Sequence, residues 1–338
     1  MRWPRAVGVF LEFRMIPVLL WSFTAVLLGT AVAFFETGRF DLTWFLAAMF
    51  LGAVVQGFVT HSLNEIYDWR SGTDRHASPR LLSGGSKVLN AGLLSERGLW
   101  GILAVSSAAV FSVAAAVMLL RSPWIAVFVV PGYLCGVAYT TPPVRLVYRP
   151  FVSEWLGGFV GVLLAGTGAY FIQALTVSPL ALLVASAHAC TCVGMLLVHH
   201  YADVAADAAA SPRKETTVVR LGAARAKGYA TVLAGFALVL TAIAGVAAWP
   251  FLLALPVLAG VLVLHHRTRP TELPSVTANE IGVIQGGIVA GLVPSALLAP
   301  YLIVPALLAV PAYAAHFWLA TSPDITARIE ASRLAAKG

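Results

Sequence analysis

Long apolar stretches recur along the chain, and short polar stretches separate them. The apolar stretches are about 20 residues long, which is the length that an α-helix needs to cross a bilayer. Strands of a membrane barrel would alternate polar and apolar residues, and these stretches do not. The pattern predicts helical spans at about 15–35, 43–63, 99–120, 124–140, 155–175, 179–200, 227–248, 250–266 and 280–299, and a further apolar run at 301–320 leaves their number at nine or ten.

The composition agrees with an integral membrane protein. Of the 338 residues, 59% are hydrophobic and only 11% are charged, whereas soluble domains carry about 25% charged residues. We therefore predict an all-α fold, a nine-helix or ten-helix transmembrane bundle around a central cavity, with the lipid bilayer as a partner. Residues 1–338 form one polytopic membrane domain, with polar cap loops at 64–98, 141–153 and 201–226 and a charged tail at 321–338.

The distribution of basic residues predicts the orientation. The net charge is +7, but the basic residues concentrate in the loops at one end of the spans, which is the positive-inside pattern. With ten spans, only Arg39 and Arg121 of the 22 basic residues fall on the outer side. We expect a multi-pass protein of the cell membrane whose N-terminus and active-site loops are cytoplasmic and which has no nucleic-acid partner.

An acidic motif follows the second predicted span, at residues 64–74. Asn64 and Asp68 are four residues apart, so they share one face of a helix. Gly72 lets the chain leave the helix, so that Asp74 can fold back toward the same point. Carboxylates at the end of a membrane helix are costly unless they bind a cation. The motif is therefore a candidate cation site.

A second acidic motif follows the sixth predicted span. Asp203 and Asp207 repeat the four-residue spacing of the first motif. Four predicted spans separate the two motifs, which suggests that the chain consists of two pseudo-repeated four-helix halves. In that arrangement the motifs would face each other across the central cavity.

The two motifs contain oxygen donors only, and basic residues follow each of them. Oxygen ligands favour a hard cation such as Mg²⁺, which proteins usually hold with a few carboxylates together with substrate phosphates. Carboxylates, Mg²⁺ and basic side chains are the set that binds a diphosphate and stabilises it as a leaving group. Because the site would open into an apolar cavity, we expect the diphosphate to carry an apolar group.

The motif Asn64–Asp74 resembles the first aspartate-rich motif of the UbiA superfamily of intramembrane prenyltransferases. The aspartates at +4 and +10 from Asn64, together with Tyr67 and Gly72, are most like the 1,4-dihydroxy-2-naphthoate polyprenyltransferase branch, which acts in menaquinone biosynthesis. The resemblance covers about residues 40–230, and its other motifs are Gly84–Leu89, Gly92–Ser95, Tyr139–Arg145, Tyr148–Arg149, Glu154, Asp203–Asp207, Lys214, Thr216 or Thr217, and Val219–Gly222.

The resemblance implies that two Mg²⁺ ions bridge a polyprenyl diphosphate between the motifs. Ionisation of the allylic C–O bond would give a cation that the ring of an aromatic acceptor attacks, and loss of a proton or of carbon dioxide would restore aromaticity. The resemblance implies Asn64, Asp68, Asp74, Asp203 and Asp207 as metal ligands, Arg70, Lys87, Arg145 and Lys214 as contacts of the diphosphate, and Asp68, Asp203, Asp207, Lys214 and Tyr139 as catalytic residues.

The sequence departs from the usual family pattern at two places. Glu65 stands where an aspartate is usual, and it lies about 100° round the helix from Asn64. His199 and His200 replace what is commonly a pair of asparagines before the second motif. These two histidines, together with His61 three residues before Asn64, are candidates for contact with the aromatic acceptor.

Other functions fit parts of the pattern. Within the superfamily, the acceptor could instead be another aromatic acid, a specialised metabolite, a haem or chlorophyll precursor, or a phosphosugar. A cyclase or hydrolase would release diphosphate without preference for an acceptor. A secondary transporter is disfavoured, because transporters place ionisable residues near the middle of the membrane and here they lie at helix ends. The pattern predicts neither the prenyl chain length nor the oligomeric state.

Overall fold

The computed structural model describes residues 5–76 and 85–335, so the first residues, part of the predicted loop 64–98 and the end of the predicted tail lie outside the described residues. The regular elements of the described part are helices, and the predicted all-α membrane fold is confirmed. They are α1 (Arg5–Thr37), α2 (Leu42–Ser71), α3 (Thr73–His76), α4 (Glu96–Leu120), α5 (Pro123–Ala138), α6 (Ser153–Ala174), α7 (Pro179–Tyr201), α8 (Val204–Ala209), α9 (Thr217–Leu221), α10 (Ala223–Ala247), α11 (Trp249–Arg267), α12 (Leu273–Leu298), α13 (Pro300–Ala320) and α14 (Pro323–Ala335).

The packing of the tail decides between nine and ten crossings. Within the described residues, nine helices are long and apolar enough to cross a membrane, and α5 is a shorter apolar helix. The tail helix α14 packs against α3, which follows the first acidic motif. The tail therefore lies at the same end of the bundle as Asp74, and this requires an even number of crossings between them. That number is reached when α5 also crosses, which gives ten crossings in the described part of the chain.

The helices α1 and α7 occupy the centre of the bundle and are its most buried spans. The helices α1 and α6 come into close contact at Gly29 and Gly166, where a side chain on Gly29 would collide with the backbone of Gly166. Small residues at such contacts let membrane helices approach closely. The outer helices expose large apolar side chains such as Leu119, Val246 and Leu307. This is the surface that a helical bundle presents to lipid.

Capping side chains fix the helix ends opposite the acidic motifs. At the start of α2, Asp41 accepts hydrogen bonds from the backbone N–H groups of Thr43 and Trp44 at 2.8 and 3.2 Å. At the start of α7, the hydroxyl of Ser178 accepts from the N–H of Leu180 at 3.1 Å. These bonds satisfy N–H groups that the first turn of a helix leaves unpaired. They fix the residues at which α2 and α7 begin. The acidic motifs lie at the opposite ends of these two helices.

Three helices that border the central cavity contain a π-helical turn, a feature often found at functional sites. Gln56 in α2 joins such turns in α1 and α2: its amide donates to the carbonyl of Pro17 at 3.2 Å and accepts from the N–H of Ser22 at 3.0 Å. The two helices are thereby held in register beside the cavity. The turns are at Leu19–Phe23, Val55–Thr60 and Ser153–Phe159.

Candidate active site

A cavity opens where α2 and α7 end, as predicted for the centre of the bundle. Its volume is about 260 Å³, whereas a single water needs only about 15 Å³, so it can hold organic molecules. Polar residues surround its mouth, and apolar and aromatic residues line its depth. The mouth includes His61, Asn64, Asp68, Asp74, Tyr139, His199, His200, Asp203 and Lys214, and the deeper part includes Trp21, Ile125, Phe128, Tyr133 and Ile172.

The first motif has the geometry predicted for it. Asn64 donates through Nδ2 to Oδ2 of Asp68 at 2.9 Å, across one turn of α2. The helix ends at Ser71, and Gly72 adopts the left-handed backbone conformation with φ of 86°. Side chains disfavour that conformation, and glycine does not. The turn returns the chain to the cavity, where Asp74 lines the same wall as Asp68.

The second motif lies at a break between helices, and its loop reaches the first motif. The helix α7 ends just before Asp203, and α8 begins just after it. The N–H of Asp207 donates to the carbonyl of Asp203 at 2.8 Å, which keeps the four-residue spacing. The N–H of Ser211 donates to the carbonyl of Ser71 at 2.9 Å, and α8 packs against α3. The two motifs therefore meet at one end of the bundle.

Lys214 connects the two motifs electrostatically. Its Nζ donates to Oδ2 of Asp68 at 2.9 Å and lies 3.7 Å from Oδ1 of Asp207. Burial lowers the pKa of Lys214, but the carboxylates of Asp68 and Asp207 outweigh this effect and hold the pKa well above its usual value. The ammonium group is therefore charged at neutral pH and offsets part of the negative charge of the site.

Several carboxylate oxygens of the site are buried and unsatisfied. Oδ1 of Asp68, Oδ2 of Asp74 and Oδ2 of Asp207 have no hydrogen-bond partner among the described residues. Burial raises the pKa of Asp74 and of Asp207 to about 7, because the charged form loses its hydration. A cation would supply both the missing contacts and the compensating charge. The donor set and its burial therefore fit Mg²⁺.

The side chains that could bind a metal ion are divided between the two motifs, on the two sides of the cavity mouth. Among the residues that the structure describes, no group of three or more His, Cys, Asp or Glu side chains is placed so that it could hold a metal ion. Mg²⁺ is usually held by one or two carboxylates and completed by water and substrate phosphates, so an open donor set suits it.

Lys87 lies against the first motif. Its Nζ donates to Oδ1 of Asp74 at 2.6 Å, and both side chains are buried. The amide of Asn90 donates to the backbone carbonyl of Asp74 at 3.2 Å. Lys87 thus supports the position of Asp74, and Asp74 is the member of the pair that lines the cavity.

Two of the predicted diphosphate contacts have other partners in the structure. Arg70, whose side chain is half exposed, pairs with Glu96 and lies over the ring of Trp100 at 5.9 Å. The guanidinium of Arg145 lies 5.3 Å from the ring centre of Tyr148. The structure does not bring either arginine to the cavity wall. Their contact with a diphosphate stays a prediction.

Glu65 holds the loop that follows the first motif. Its side chain is 1% exposed and accepts hydrogen bonds from the backbone N–H groups of Ser86, Lys87 and Leu89 at 3.0, 3.2 and 3.3 Å. Glu12 of α1 accepts from the hydroxyl of Ser86 at 2.6 Å. Glu65 therefore has a defined structural role, and this role uses a helix face different from that of the cavity residues.

We expect Glu65→Ala to destabilise the protein through this loop. The substitution removes the acceptor of three N–H groups, and losses of this kind cost about 1–3 kcal/mol. The melting temperature in detergent should fall by about 2–6 °C. The melting temperature of the Glu65→Gln protein should fall less, because glutamine keeps an acceptor oxygen. Thermal unfolding followed by tryptophan fluorescence measures both, with the partly exposed Glu96→Gln as a control. An unchanged melting temperature for Glu65→Ala would contradict this role.

Two charged residues that sequence reasoning did not single out lie near the cavity, one in its wall and one behind a histidine of that wall. Arg14 lines the cavity at a break in α1, where its φ is 51°. Glu280 of α12 accepts from Nδ1 of His199 at 2.7 Å. Arg14 precedes the first predicted span and was counted with the topology signal. Glu280 belongs to no motif. The one signal in the sequence that could have indicated it is a charged residue within an apolar span.

Comparison with known proteins identifies the family. Residues 20–277 match the model of the UbiA prenyltransferase family. The chain belongs to the UbiA prenyltransferase family. Over 155 residues, this UbiA-family chain is 32% identical to the 1,4-dihydroxy-2-naphthoate octaprenyltransferase of Bacillus subtilis (strain 168). The match covers 45% of this chain and 47% of the relative, so the chain spans about half the length of the curated relative that it matches.

Two archaeal UbiA homologues have similar folds. A homologue from Archaeoglobus fulgidus, solved with GPP and Mg²⁺, is 19% identical and aligns with a TM-score of 0.58 over 85% of this chain and 99% of that one. The apo structure of a homologue from Aeropyrum pernix K1 is 18% identical, with a TM-score of 0.55 over 86% and 97% of the two chains. At these identities the similarity shows the fold.

Proposed function

We propose that this UbiA-family protein transfers a polyprenyl group from a polyprenyl diphosphate to an aromatic acceptor and that it requires Mg²⁺. The observation that carries the proposal is the meeting of two acidic motifs around Lys214 at the mouth of an apolar cavity. Structures of the Archaeoglobus fulgidus homologue were solved with GPP and Mg²⁺ and with DMAPP and Mg²⁺. These ligands support the proposed donor class and the proposed metal.

The motif residues would hold the metal and the leaving group. When bound, Mg²⁺ would neutralise the diphosphate and so make it a better leaving group. Lys214 adds a buried, fixed positive charge between the motifs, where diphosphate oxygens can bind without further reorganisation. The residues that would hold the metal, as two ions, are Asn64, Asp68, Asp74, Asp203 and Asp207.

The cavity would protect the allylic cation until the acceptor attacks it. The rings of Trp21, Phe128, Tyr133 and Tyr139 line the cavity. Aromatic faces stabilise a cation through their quadrupole. An apolar wall also keeps out water, which would otherwise capture the cation.

We favour 1,4-dihydroxy-2-naphthoate as the acceptor, which would place the protein in menaquinone biosynthesis. The name of the Bacillus subtilis relative supports this choice. We also propose that the motif end of the bundle faces the cytoplasm from the cell membrane. The support is the concentration of basic residues in the loops at that end.

A panel of acceptors tests the function. Purified protein in nanodiscs would receive Mg²⁺, a labelled polyprenyl diphosphate and, in turn, 1,4-dihydroxy-2-naphthoate, 4-hydroxybenzoate, a haem precursor or a phosphosugar. We expect prenylated product only with Mg²⁺ and an aromatic acceptor, fastest with the naphthoate, with diphosphate released in equal amount. Diphosphate release without prenylated product would indicate a cyclase or hydrolase. Cation uptake into liposomes without diphosphate release would indicate a transporter.

A further inference from the structure

The central cavity reaches nearly from one end of the bundle to the other. Asp68 at its mouth and Ala48 in its depth both line it, and the part of α2 between them is about 30 Å long. The hydrocarbon core of a bilayer is about 30 Å thick. The far end of the cavity, opposite the acidic motifs, therefore lies close to the water on the other side of the membrane.

Two isoleucines line the cavity at this far end. Ile125 stands in the first turn of α5 and Ile172 in the last turn of α6. Their side chains are 3% and 2% exposed. Helix ends and turns form the layer of protein beyond them, so the closure of the cavity depends on the contacts that hold these helix ends together.

Arg121 joins the turn between α4 and α5 to the end of α6. Its Nε donates to the carbonyl of Ile172 at 2.9 Å, and its Nη2 donates to the carbonyl of Gln173 at 2.7 Å. The last carbonyls of a helix have no partner within that helix, and basic side chains can supply one. The guanidinium also lies 5.7 Å from the ring centre of Trp44, in the first turn of α2. Arg121 thus contacts the ends of three membrane helices.

Gln173 joins the end of α6 to the start of α2. Its Nε2 donates to the carbonyl of Asp41 at 2.9 Å, and its Oε1 accepts from the N–H of Asp41 at 2.9 Å. The side chain of Gln173 is 3% exposed, so water competes little for these bonds. The hydrogen bonds of Arg121 and of Gln173 all end on backbone atoms, and they therefore fix the positions of the helix ends themselves.

We propose that Arg121 and Gln173 form a seal that closes the far end of the cavity against water. A reactive allylic cation requires a site from which water is excluded. A cavity open at both ends would also let water and protons cross the membrane. The role in the reaction rests on the prenyl transfer proposed above, whereas the role as a barrier in the membrane does not depend on it.

The seal also accounts for a basic residue at this end of the bundle. The positive-inside pattern leaves Arg121 and Arg39 at the end opposite the other basic residues. Arg39 is exposed there, whereas Arg121 binds the end of α6. The two arginines therefore share a location and a charge and differ in their contacts, which makes them a matched pair for substitution.

Water that enters the cavity would divert the reaction. The allylic C–O bond of the donor breaks, and its electron pair leaves with the diphosphate. A water oxygen would then form a bond to the allylic carbon in place of the acceptor, and one proton of that water would pass to the released diphosphate. The product would be a prenol, so the ratio of prenol to prenylated acceptor measures how well the cavity is closed.

Arg121→Met removes the hydrogen bonds of the guanidinium and keeps a long side chain. We expect the ratio of prenol to prenylated acceptor to rise about 10- to 100-fold, because a lost hydrogen bond from a charged group favours opening of the far end by about that factor. KM for the polyprenyl diphosphate should stay at the wild-type value, because the acidic motifs lie at the opposite end. Arg39→Met is the control and should keep the wild-type ratio.

The permeability of proteoliposomes tests the seal without any substrate. The protein is reconstituted into liposomes that contain a pH-sensitive dye, and a proton gradient is applied. The wild type should leak no faster than liposomes without protein, and Arg121→Met should leak about 10-fold faster or more. Gln173→Leu removes neutral hydrogen bonds, so its leak and its prenol ratio should rise less, about 2- to 10-fold. Arg121→Lys keeps the charge and can keep one hydrogen bond, and we expect an intermediate rise.

Three results would overturn the seal, with gel filtration in detergent to identify the variants that fold. One is a wild-type prenol ratio and a wild-type permeability in folded Gln173→Leu and Arg121→Lys proteins. Another is an equal rise in Arg39→Met. The third is a rise in the donor KM as large as the rise in prenol, which would indicate a general loss of structure. If the wild type forms no prenylated product with any acceptor, the proposed function fails, and the permeability of the variants still decides whether the seal exists.

Discussion

Replacing Asp68 with asparagine should reduce prenyl transfer by at least about 100- to 1,000-fold, the loss typical of removing one preorganised electrostatic contact to a leaving group or oxyanion. Asp68 is in hydrogen-bond contact with Asn64 and Lys214 through one oxygen, and its other oxygen is buried without a hydrogen-bond partner among the described residues. Asparagine keeps the volume but removes the charge that a metal ion needs. Product formation from a labelled polyprenyl diphosphate at saturating Mg²⁺ measures the effect.

The matched control for Asp68→Asn is Glu215→Gln. Glu215 follows Lys214 directly in the chain, but its side chain is partly exposed and pairs with Arg220. The Glu215→Gln substitution should therefore leave the rate of prenyl transfer within about twofold of the wild-type rate, because exposed ion pairs contribute little. Gel filtration in detergent checks that both variants fold. Wild-type transfer by a folded Asp68→Asn protein would contradict a metal-binding role for the first motif.

Replacing Lys214 with glutamine should both weaken binding of the donor and lower the thermal stability of the protein. KM for the polyprenyl diphosphate should rise about 10- to 100-fold, since a hydrogen bond to a charged group is lost. The substitution also leaves the carboxylates of Asp68 and Asp207 without the cation that separates them. The melting temperature without Mg²⁺ should therefore fall, and added Mg²⁺ should recover part of the loss by binding the folded state.

Arg213→Gln is the control for Lys214→Gln. Arg213 is the exposed neighbour of Lys214, so its loss changes the net charge equally without touching the motifs. Its melting temperature and its KM for the donor should stay close to the wild-type values. If Lys214→Gln behaved like Arg213→Gln in both measurements, Lys214 would not belong to the diphosphate site.

The sequence was most informative where spacing has a direct geometric meaning. Four-residue spacing places Asn64 and Asp68 on one helix face, and Gly72 allows the reversal that returns Asp74. Both features appear in the structure as predicted. The number of crossings was harder, because α5 is too short to stand out by length and only the packing of α14 on α3 decides the count.

The surroundings of His199 could not be predicted from spacing. Arg14, His199 and Glu280 belong to three helices that are far apart in the chain, and their contacts arise only from packing. The contact of His199 with an acceptor stays a prediction from the sequence, and nothing in the sequence indicated the two charged side chains beside it. Similarly, the family resemblance implied Arg70 and Arg145 as diphosphate contacts, and in the structure their side chains contact other side chains.

Glu65 differs from the residue that is usual in the family, and the structure gives a local reason for a carboxylate at this position. In the sequence, Glu65 is a departure from the aspartate that is usual in the naphthoate branch. In the structure it instead binds three backbone N–H groups of the loop after the first motif. The departure at position 65 therefore concerns the support of the site, and the histidines of α7 carry the difference that faces the cavity.

The central claim is that the two acidic motifs form one diphosphate site. Calorimetric titration of a non-reactive polyprenyl thiodiphosphate into the protein in nanodiscs, with and without Mg²⁺, tests it directly. We predict binding by the wild type only with Mg²⁺, and loss of that binding in both Asp68→Asn and Asp203→Asn, one from each motif. Wild-type affinity in a folded Asp203→Asn protein, with binding lost only in Asp68→Asn, would contradict a shared site.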